Sequence, residues 1–306
     1  MMFELGHGKG DGNAVNDMGG LDFGICSCTA VDGDTNPESQ ALVTSNNAST
    51  RSDPGLQRVE PFAIFDNVYY IGIGWVSAYL IDTGNGLIMI DALYGDFVDT
   101  AIQDIRALGF DPQDLEYVLV THGHFDHVGG AGQLQQQFGA QVVMTEPDWQ
   151  LAEASRGSLA QVLNRDVVVN DGDEIALGNT TVRFYVTPGH TPGVLSFEFV
   201  VRDGESEHRA FTFGGVGLNF EGVERTESYL RSVQRIKELA QIDPIEVNLA
   251  NHPAMGRLFE RRDLLAGRAP GEPHPFVDAA GYLSWLDELG QNGEVKLTEE
   301  RAEVGR

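Results

Sequence analysis

The sequence predicts a mixed α/β (α+β) chain in which two β-sheets stack face to face, with helices over both outer faces. Three observations carry this. From Val59 onward, short apolar, β-branched and aromatic runs alternate with Gly, Pro, Asn and Asp breakers, which is the texture of strands and turns. Between them lie segments whose apolar residues recur at helical spacing. The order is strands, helix, strand, helix, then strands, helix, strand, helix, so each half can supply one sheet and its own covering helices.

Each element follows from local pattern. "FAIFDNVYYIGI" and "VSAYLIDTGNGLIMID" read as antiparallel strands, turned at Asp66-Asn67 and Gly84-Asn85-Gly86. "DFVDTAIQDIRALGF" spaces Phe97, Ile102, Ile105 and Leu108 as one face of a helix that Gly109 ends. "LEYVLV" is a short buried strand, "GAGQLQQQFG" a helix and "AQVVMT" another strand. Strand material returns at Asp166–Val169, "DEIAL", "TTVRFYVT", "VLSFEFVV" and "EHRAFTFGG". A helix over about 225–240 precedes the strand "IEVNLAN", and two more helices are expected near 255–266 and 277–289. Residues 1–58 are rich in Gly, Asn, Asp, Ser and Thr without sustained periodicity. They are expected to be a poorly ordered extension to a domain over 59–306.

Composition narrows the function classes. The 20 Lys and Arg against 46 Asp and Glu give a formal net charge of −26. Such a surface repels phosphate backbones and anionic lipid, so neither nucleic acid nor a membrane is an expected partner. No apolar run has the length of a membrane span. Cys26 and Cys28, separated by one residue, are expected to be reduced thiols without a disulfide framework. The first thirty residues lack a basic start and a continuous apolar stretch, which predicts a cytoplasmic chain as written, or a periplasmic one if the true start differs.

One short turn concentrates the chemistry. "LVTHGHFDHVGG" puts His122, His124, Asp126 and His127 within six residues, although the chain has only 8 histidines. Zinc takes imidazole and carboxylate ligands at roughly 2.0–2.2 Å, usually four of them, with one position left for water at a catalytic ion. Histidines two apart on an extended segment point to the same side. Asp126 and His127 follow at the start of the next helix, and Gly129 and Gly130 keep that helix free of bulk where it packs. A lone histidine is more often a packing or surface residue, but crowded imidazoles gain little except through a metal. The same reading draws in His190, in "VTPGHTPG", and His252, in "NLANHPAM", each on a loop after a strand. His7, His208 and His274 fit no such pattern.

The HxHxDH turn, "TPGHTPG" and the late histidine resemble the metallo-β-lactamase superfamily, over about Val59 to Leu289. The resemblance implies a four-layer αββα sandwich. It also implies that Asp91, in "LIMIDALYG", braces the histidine turn from behind. Hydrolase branches such as glyoxalase-II-like enzymes and lactonases carry a metal-bridging Asp where this chain has Gly215, and the first two lactamase subclasses carry a Cys there. The remaining set resembles the third subclass (B3) of class B β-lactamases: His122, His124 and His190 for one zinc, with Asp126, His127 and His252 for a second.

That likeness implies a dizinc hydrolase opening a β-lactam or similar cyclic amide with zinc-activated hydroxide. Asp126 would be both ligand and orienting catalytic residue. Trp75, Tyr94 and Asn219 are candidate walls of a pocket for a small-molecule substrate, by their loop positions. Two departures from the subclass are expected: Gly215 and Gly217 replace serines often found there, and the first thirty residues do not read as the signal peptide of secreted lactamases. The alternative is a dizinc hydrolase acting on a lactone, thioester or phosphoester at the same site. A non-catalytic metal-binding module is a further reading, which the intact ligand set opposes. Nuclease members are disfavoured by the net charge, and diiron redox members by His124.

Overall fold

The computed structural model describes residues 50–155 and 163–305. The first sheet has seven strands in sequential order: β1 (Phe62–Phe65), β2 (Val68–Tyr70), β3 (Tyr79–Asp82), β4 (Leu87–Ile90), β5 (Leu115–Leu119), β6 (Gln141–Met144) and β7 (Val167–Val168). Strands β1 to β4 run antiparallel and β4 to β7 parallel. The second sheet has the order β12-β11-β10-β9-β8, built from β8 (Glu174–Leu177), β9 (Thr180–Val186), β10 (Leu195–Asp203), β11 (Ser206–Thr212) and β12 (Val247–Asn248).

The helices are α1 (Pro54–Gln57), α2 (Phe97–Ala107), α3 (Phe125–Val128), α4 (Ala131–Phe138), α5 (Glu146–Ala154), α6 (Val223–Ile242), α7 (Leu258–Ala266) and α8 (Ala279–Val304). Three apolar layers hold the four structural layers together. Between the sheets, Tyr70, Tyr79, Ile88, Ile90 and Leu119 meet Phe184, Phe197, Phe199 and Val247. Outside the first sheet, Met89, Val118 and Val142 pack on Phe97, Ile105, Leu134 and Trp149. Outside the second, Tyr185, Phe211 and Phe213 pack on Tyr229, Ile236, Tyr282 and Leu286. This is the αββα arrangement. Strand β4 is buried at all four residues because both its faces are covered, which is why it reads as an unbroken apolar run rather than an alternating one.

Several elements differ from the sequence expectation. Helix α5 is absent from the predicted series. The expected helix at 255–266 is broken: a 3₁₀ turn (Pro253–Gly256) precedes α7, and Arg257 between them sits at φ 53°. Strand β12 has two residues only, and α8 runs fifteen residues past its expected end at Leu289.

The part of the extension that is described, residues 50–58, packs on the domain. Arg58 makes a two-pronged ion pair with the buried Asp104, at 2.7 and 2.9 Å. The Gln57 side chain is buried, and the Gln57 backbone carbonyl accepts the Gly74 N–H. His7, Cys26 and Cys28 lie outside the described residues. Among the described residues, no helix is long and apolar enough to cross a membrane.

Candidate metal centre

The loops after β4, β5, β9, β11 and β12 meet at one edge of the sandwich, and they bring all six candidate ligands together. The two sheets are stitched there by the Leu195 N–H donating to the Thr121 carbonyl at 2.8 Å. His122 comes three residues after the end of β5, His124 has an extended backbone, and α3 then lifts Asp126 and His127.

The inward nitrogens converge. His122 Nε2 lies 3.1 Å from His190 Nε2, and His124 Nδ1 lies 3.0 Å from the same atom. Three nitrogens about 2.05 Å from a common tetrahedral ion lie about 3.3 Å apart, so this spacing fits a zinc-sized cation. Beside this group, His127 Nε2 stands 3.3 Å and His252 Nε2 3.8 Å from Asp126 Oδ2. The donor atoms of His122, His124 and His190 lie within 4.8 Å of one another, as do those of His122, Asp126 and His127. His252 completes the second group from the far side, its ring 5.0 Å from that of His127.

The outward nitrogens fix the tautomers. His122 Nδ1 is 2.9 Å from the Gly214 carbonyl, His190 Nδ1 2.9 Å from that of Gly217, and His252 Nδ1 2.8 Å from that of Trp75. A carbonyl only accepts, so each ring donates outward and leaves an inward lone pair. Asp91 does the same for His127: its Oδ2 is 2.7 Å from His127 Nδ1, while it also accepts the Thr121 hydroxyl and, through Oδ1, the Thr121 N–H. Asp91 and Leu93 both hold φ near +57° (58° and 56°), a strained region for residues other than glycine, so this turn is held by its surroundings.

Electrostatics favour a bound cation. Burial, reinforced by the neighbouring imidazoles, holds His122 well below the usual histidine range and pushes His190 down to about 3 and His252 to about 4. Burial also lowers His124. These rings are neutral at neutral pH, with lone pairs to offer. Burial works to raise Asp126, but His127, His252 and His124 outweigh it and keep the carboxylate ionised. Burial likewise opposes a charge on His127, yet Asp126 and Asp91 push it up to about 10. His127 Nε2 is buried and makes no hydrogen bond. An orphaned inward nitrogen amid neutral imidazoles and an ionised carboxylate is a donor set that fits a metal, with zinc the usual occupant of such ligands.

The pocket candidates separate. Trp75 and Tyr94 are partly buried against the core beneath α2, with rings 5.9 Å apart. Phe125, which the sequence reading passed over although it stands between His124 and Asp126, completes an aromatic wall with them, 6.1 Å from Trp75 and 5.2 Å from Tyr94. Asn219 is exposed on the opposite side, on the loop that carries Gly217. At Gly215 an added Cβ would stand 2.8 Å from His190 Cβ and 2.9 Å from a Val194 methyl, so the backbone is too close for any side chain there. The other histidines stand apart: His274 stacks on Phe65 at 4.1 Å, and His208 faces Glu246 at 3.1 Å.

Two further groups complete the frame. Asp148, on the unpredicted α5, accepts the Gly123 N–H, the Thr191 hydroxyl and the Gly193 N–H. The N-terminus of α5 was legible in "TEPD", with Pro147 and two acids in the first turn. Gly130 lets α4 approach the strand-to-helix turn: a Cβ there would meet the Ala92 carbonyl at 2.3 Å and a Val98 methyl at 2.4 Å. Gly130→Ala is therefore expected to cost about 1–3 kcal/mol of stability by overpacking. Thermal denaturation reads this directly, and an unchanged midpoint would contradict the close packing.

Comparison with known proteins agrees with this geometry. The family model of the metallo-beta-lactamase superfamily matches residues 72–203. A hydroxyacylglutathione hydrolase of Acidiphilium cryptum is 32% identical over 152 residues, covering 50% of this chain and 55% of that protein. An N-acyl homoserine lactonase of a Bacillus species is 28% identical over 144 residues, covering 39% of this chain and 55% of that protein. The chain thus spans about half the length of these two curated relatives. Among solved structures, a subclass B3 metallo-beta-lactamase of Bradyrhizobium japonicum superposes with a TM-score of 0.72 at 28% identity, over 81% of this chain and 97% of that one. A native metallo-beta-lactamase from Legionella gormanii gives 0.73 at 25% identity, over 80% and 98%. The chain carries a metallo-β-lactamase superfamily domain, and its sandwich is the fold of the subclass B3 enzymes.

Proposed function

We propose that this protein is a two-zinc hydrolase that opens a β-lactam or similar cyclic amide in a small-molecule substrate. The observation that carries the reading is the composition of the second donor group. It consists of Asp126, His127 and His252, and at Gly215, where lactonase and glyoxalase-II branches place a bridging carboxylate, the backbone leaves no room for a side chain. Likeness to the B3 structures over nearly their whole length supports it.

His122, His124 and His190 would hold one ion, and Asp126, His127 and His252 the other. Bound zinc supplies Lewis acidity toward a carbonyl oxygen and lowers the pKa of water to about 7, so that hydroxide is available at neutral pH. The residues do the remaining work. Asp126, kept ionised by its imidazole neighbours, orients the attacking water by accepting its hydrogen bond. Asp91 and the carbonyls of Gly214, Gly217 and Trp75 hold the rings of His127, His122, His190 and His252 each in a single tautomer, so these four need no reorganisation during turnover. Trp75, Tyr94 and Phe125 shield one side of the site from water and offer an apolar face to the substrate.

A second reading keeps the metals and changes the leaving group to that of a thioester or lactone. The identity to a hydroxyacylglutathione hydrolase favours it. A panel of nitrocefin, an acyl-homoserine lactone and S-lactoylglutathione, run with metal analysis, decides between them. The first reading expects nitrocefin turnover to exceed the other two, with about two zinc ions per chain. Negligible nitrocefin turnover beside brisk thioester or lactone hydrolysis would replace it with the second.

A further inference from the structure

The chain is strongly acidic, and its few cations are almost all matched. Among the described residues, every lysine and arginine except Arg51, Arg106 and Arg225 has a carboxylate within 4.0 Å. Arg106 is exposed in the last turn of α2, away from the metal centre. The other two flank that centre. Arg225 is already committed: its guanidinium donates to the carbonyls of Gly189 and His190, bracing the loop that carries His190.

Arg51 is different. Its guanidinium carbon lies 4.0 Å from the centre of the Trp75 ring, whose own centre is 5.6 Å from the His252 ring. Among the described residues the guanidinium makes no hydrogen bond, and its Nε is buried without a partner. Stacking on an indole face is a contact in its own right, worth up to about a kcal/mol at an exposed site. It satisfies none of the N–H donors, however. A buried donor without an acceptor is costly and calls for an explanation.

The position is also built rather than incidental. The Tyr94 hydroxyl donates to the Arg51 carbonyl, Asp53 caps α1, and Arg58 and Gln57 pin the segment to the domain.

We propose that Arg51 anchors the carboxylate of an anionic substrate at the mouth of the metal centre, and so sets a preference for anionic over neutral substrates. The proposal rests on the ring-opening reading above and adds the chemical class of its substrate. In a fused β-lactam, the carboxylate sits on the carbon bonded to the lactam nitrogen. It must therefore lie on the leaving-group side of the scissile bond. Arg51, stacked on Trp75 beside His252, puts a cation next to the second donor group, where the carboxylate of a substrate whose lactam nitrogen faces that group would come. A guanidinium placed 4.0 Å over Trp75 carries N–H donors suited to two-pronged carboxylate binding. In the field of a chain with net charge −26, an anionic substrate needs one local cation that no acid has claimed.

The test compares benzylpenicillin with its neutral methyl ester on zinc-loaded wild type, Arg51→Ala, Arg51→Lys and Arg106→Ala. Loss of one charge-assisted contact should raise KM for the acid about 10- to 100-fold in Arg51→Ala, with kcat changed only a few-fold. For the ester the same substitution should change KM little, Arg51→Lys should recover part of the loss, and Arg106→Ala should match wild type. Zinc content and melting temperature equal to wild type exclude a folding defect. Equal KM rises for acid and ester would mean that Arg51 acts only by packing on Trp75, and overturn the proposal; so would no rise at all. If wild type turns over neither lactam, the ring-opening reading fails, and Arg51 is then judged by binding. Tryptophan-fluorescence titration with both compounds supports the anchor if wild type binds the acid at least about tenfold more tightly than Arg51→Ala, and refutes it if the two bind alike.

Discussion

A His122→Ala protein is expected to lose at least about a thousandfold of its hydrolytic turnover, together with its bound metal. His122 belongs to the first donor group and borders the second: its Nε2 lies 3.1 Å from that of His190, and its donor atom also lies within 4.8 Å of those of Asp126 and His127. Alanine removes a fully buried imidazole whose tautomer the Gly214 carbonyl had set. Metal catalysis contributes several kcal/mol of transition-state stabilisation, and about 4 kcal/mol already amounts to a thousandfold in rate. The effect belongs to the site and not to the fold. His274→Ala, which removes a buried ring stacked on Phe65, should lower stability yet keep metal and turnover per folded molecule. Metal content by elemental analysis and kcat/KM on the best substrate of the panel make the comparison. Turnover within tenfold of wild type in a metal-poor His122→Ala protein would remove the metal from the mechanism.

What the sequence made legible is what is written locally. Four ligands stand within six residues, and His190 and His252 each follow an apolar strand among Pro and Gly breakers, so their loops could be placed without knowing the fold. Strand β4 was legible for the same reason, as an unbroken apolar run. Contacts between distant segments were not. Asp148 looks like an ordinary acid in the first turn of a helix, and its partners lie 25 to 45 residues away. Helix α8 outran its expected end because Gly290 and Gly293 weaken helix propensity by up to about 1 kcal/mol each. In the folded chain those glycines face α6, where packing against Leu230 and Val233 compensates. Arg51 fell in a stretch without periodicity. Only its position over Trp75 separates it from the Ser, Asn and Thr around it.

Asp148→Ala should lower stability by about 3–5 kcal/mol, because it leaves three buried neutral donors without an acceptor at about 1–3 kcal/mol each, offset in part by removal of the buried carboxylate. The carboxylate is wholly buried, and each of its hydrogen bonds ties down a metal loop. Oδ2 accepts from Gly123 at 3.1 Å, between His122 and His124, and from Thr191 at 2.7 Å, immediately after His190; Oδ1 accepts from Gly193 at 3.0 Å. One side chain therefore couples the turn that ends β5 in the first sheet to the β9–β10 loop of the second. Burial raises the Asp148 carboxyl above its usual range against the pull of these three donors, so the ion depends on them as they depend on it. With alanine, three buried donors lose their acceptor at once. For a protein of this size the melting temperature should fall by on the order of 10 °C. Metal affinity should also drop, by about 10- to 100-fold, because the His122–His190 spacing is no longer fixed from behind. Asp148→Asn keeps one oxygen for the Gly123 and Thr191 donors and sets its amide against the Gly193 N–H, so it should fall between wild type and alanine in both measurements. If Asp148→Ala melted like wild type and bound zinc as tightly, the two metal loops would have to be held together by the Leu195–Thr121 hydrogen bond and core packing alone.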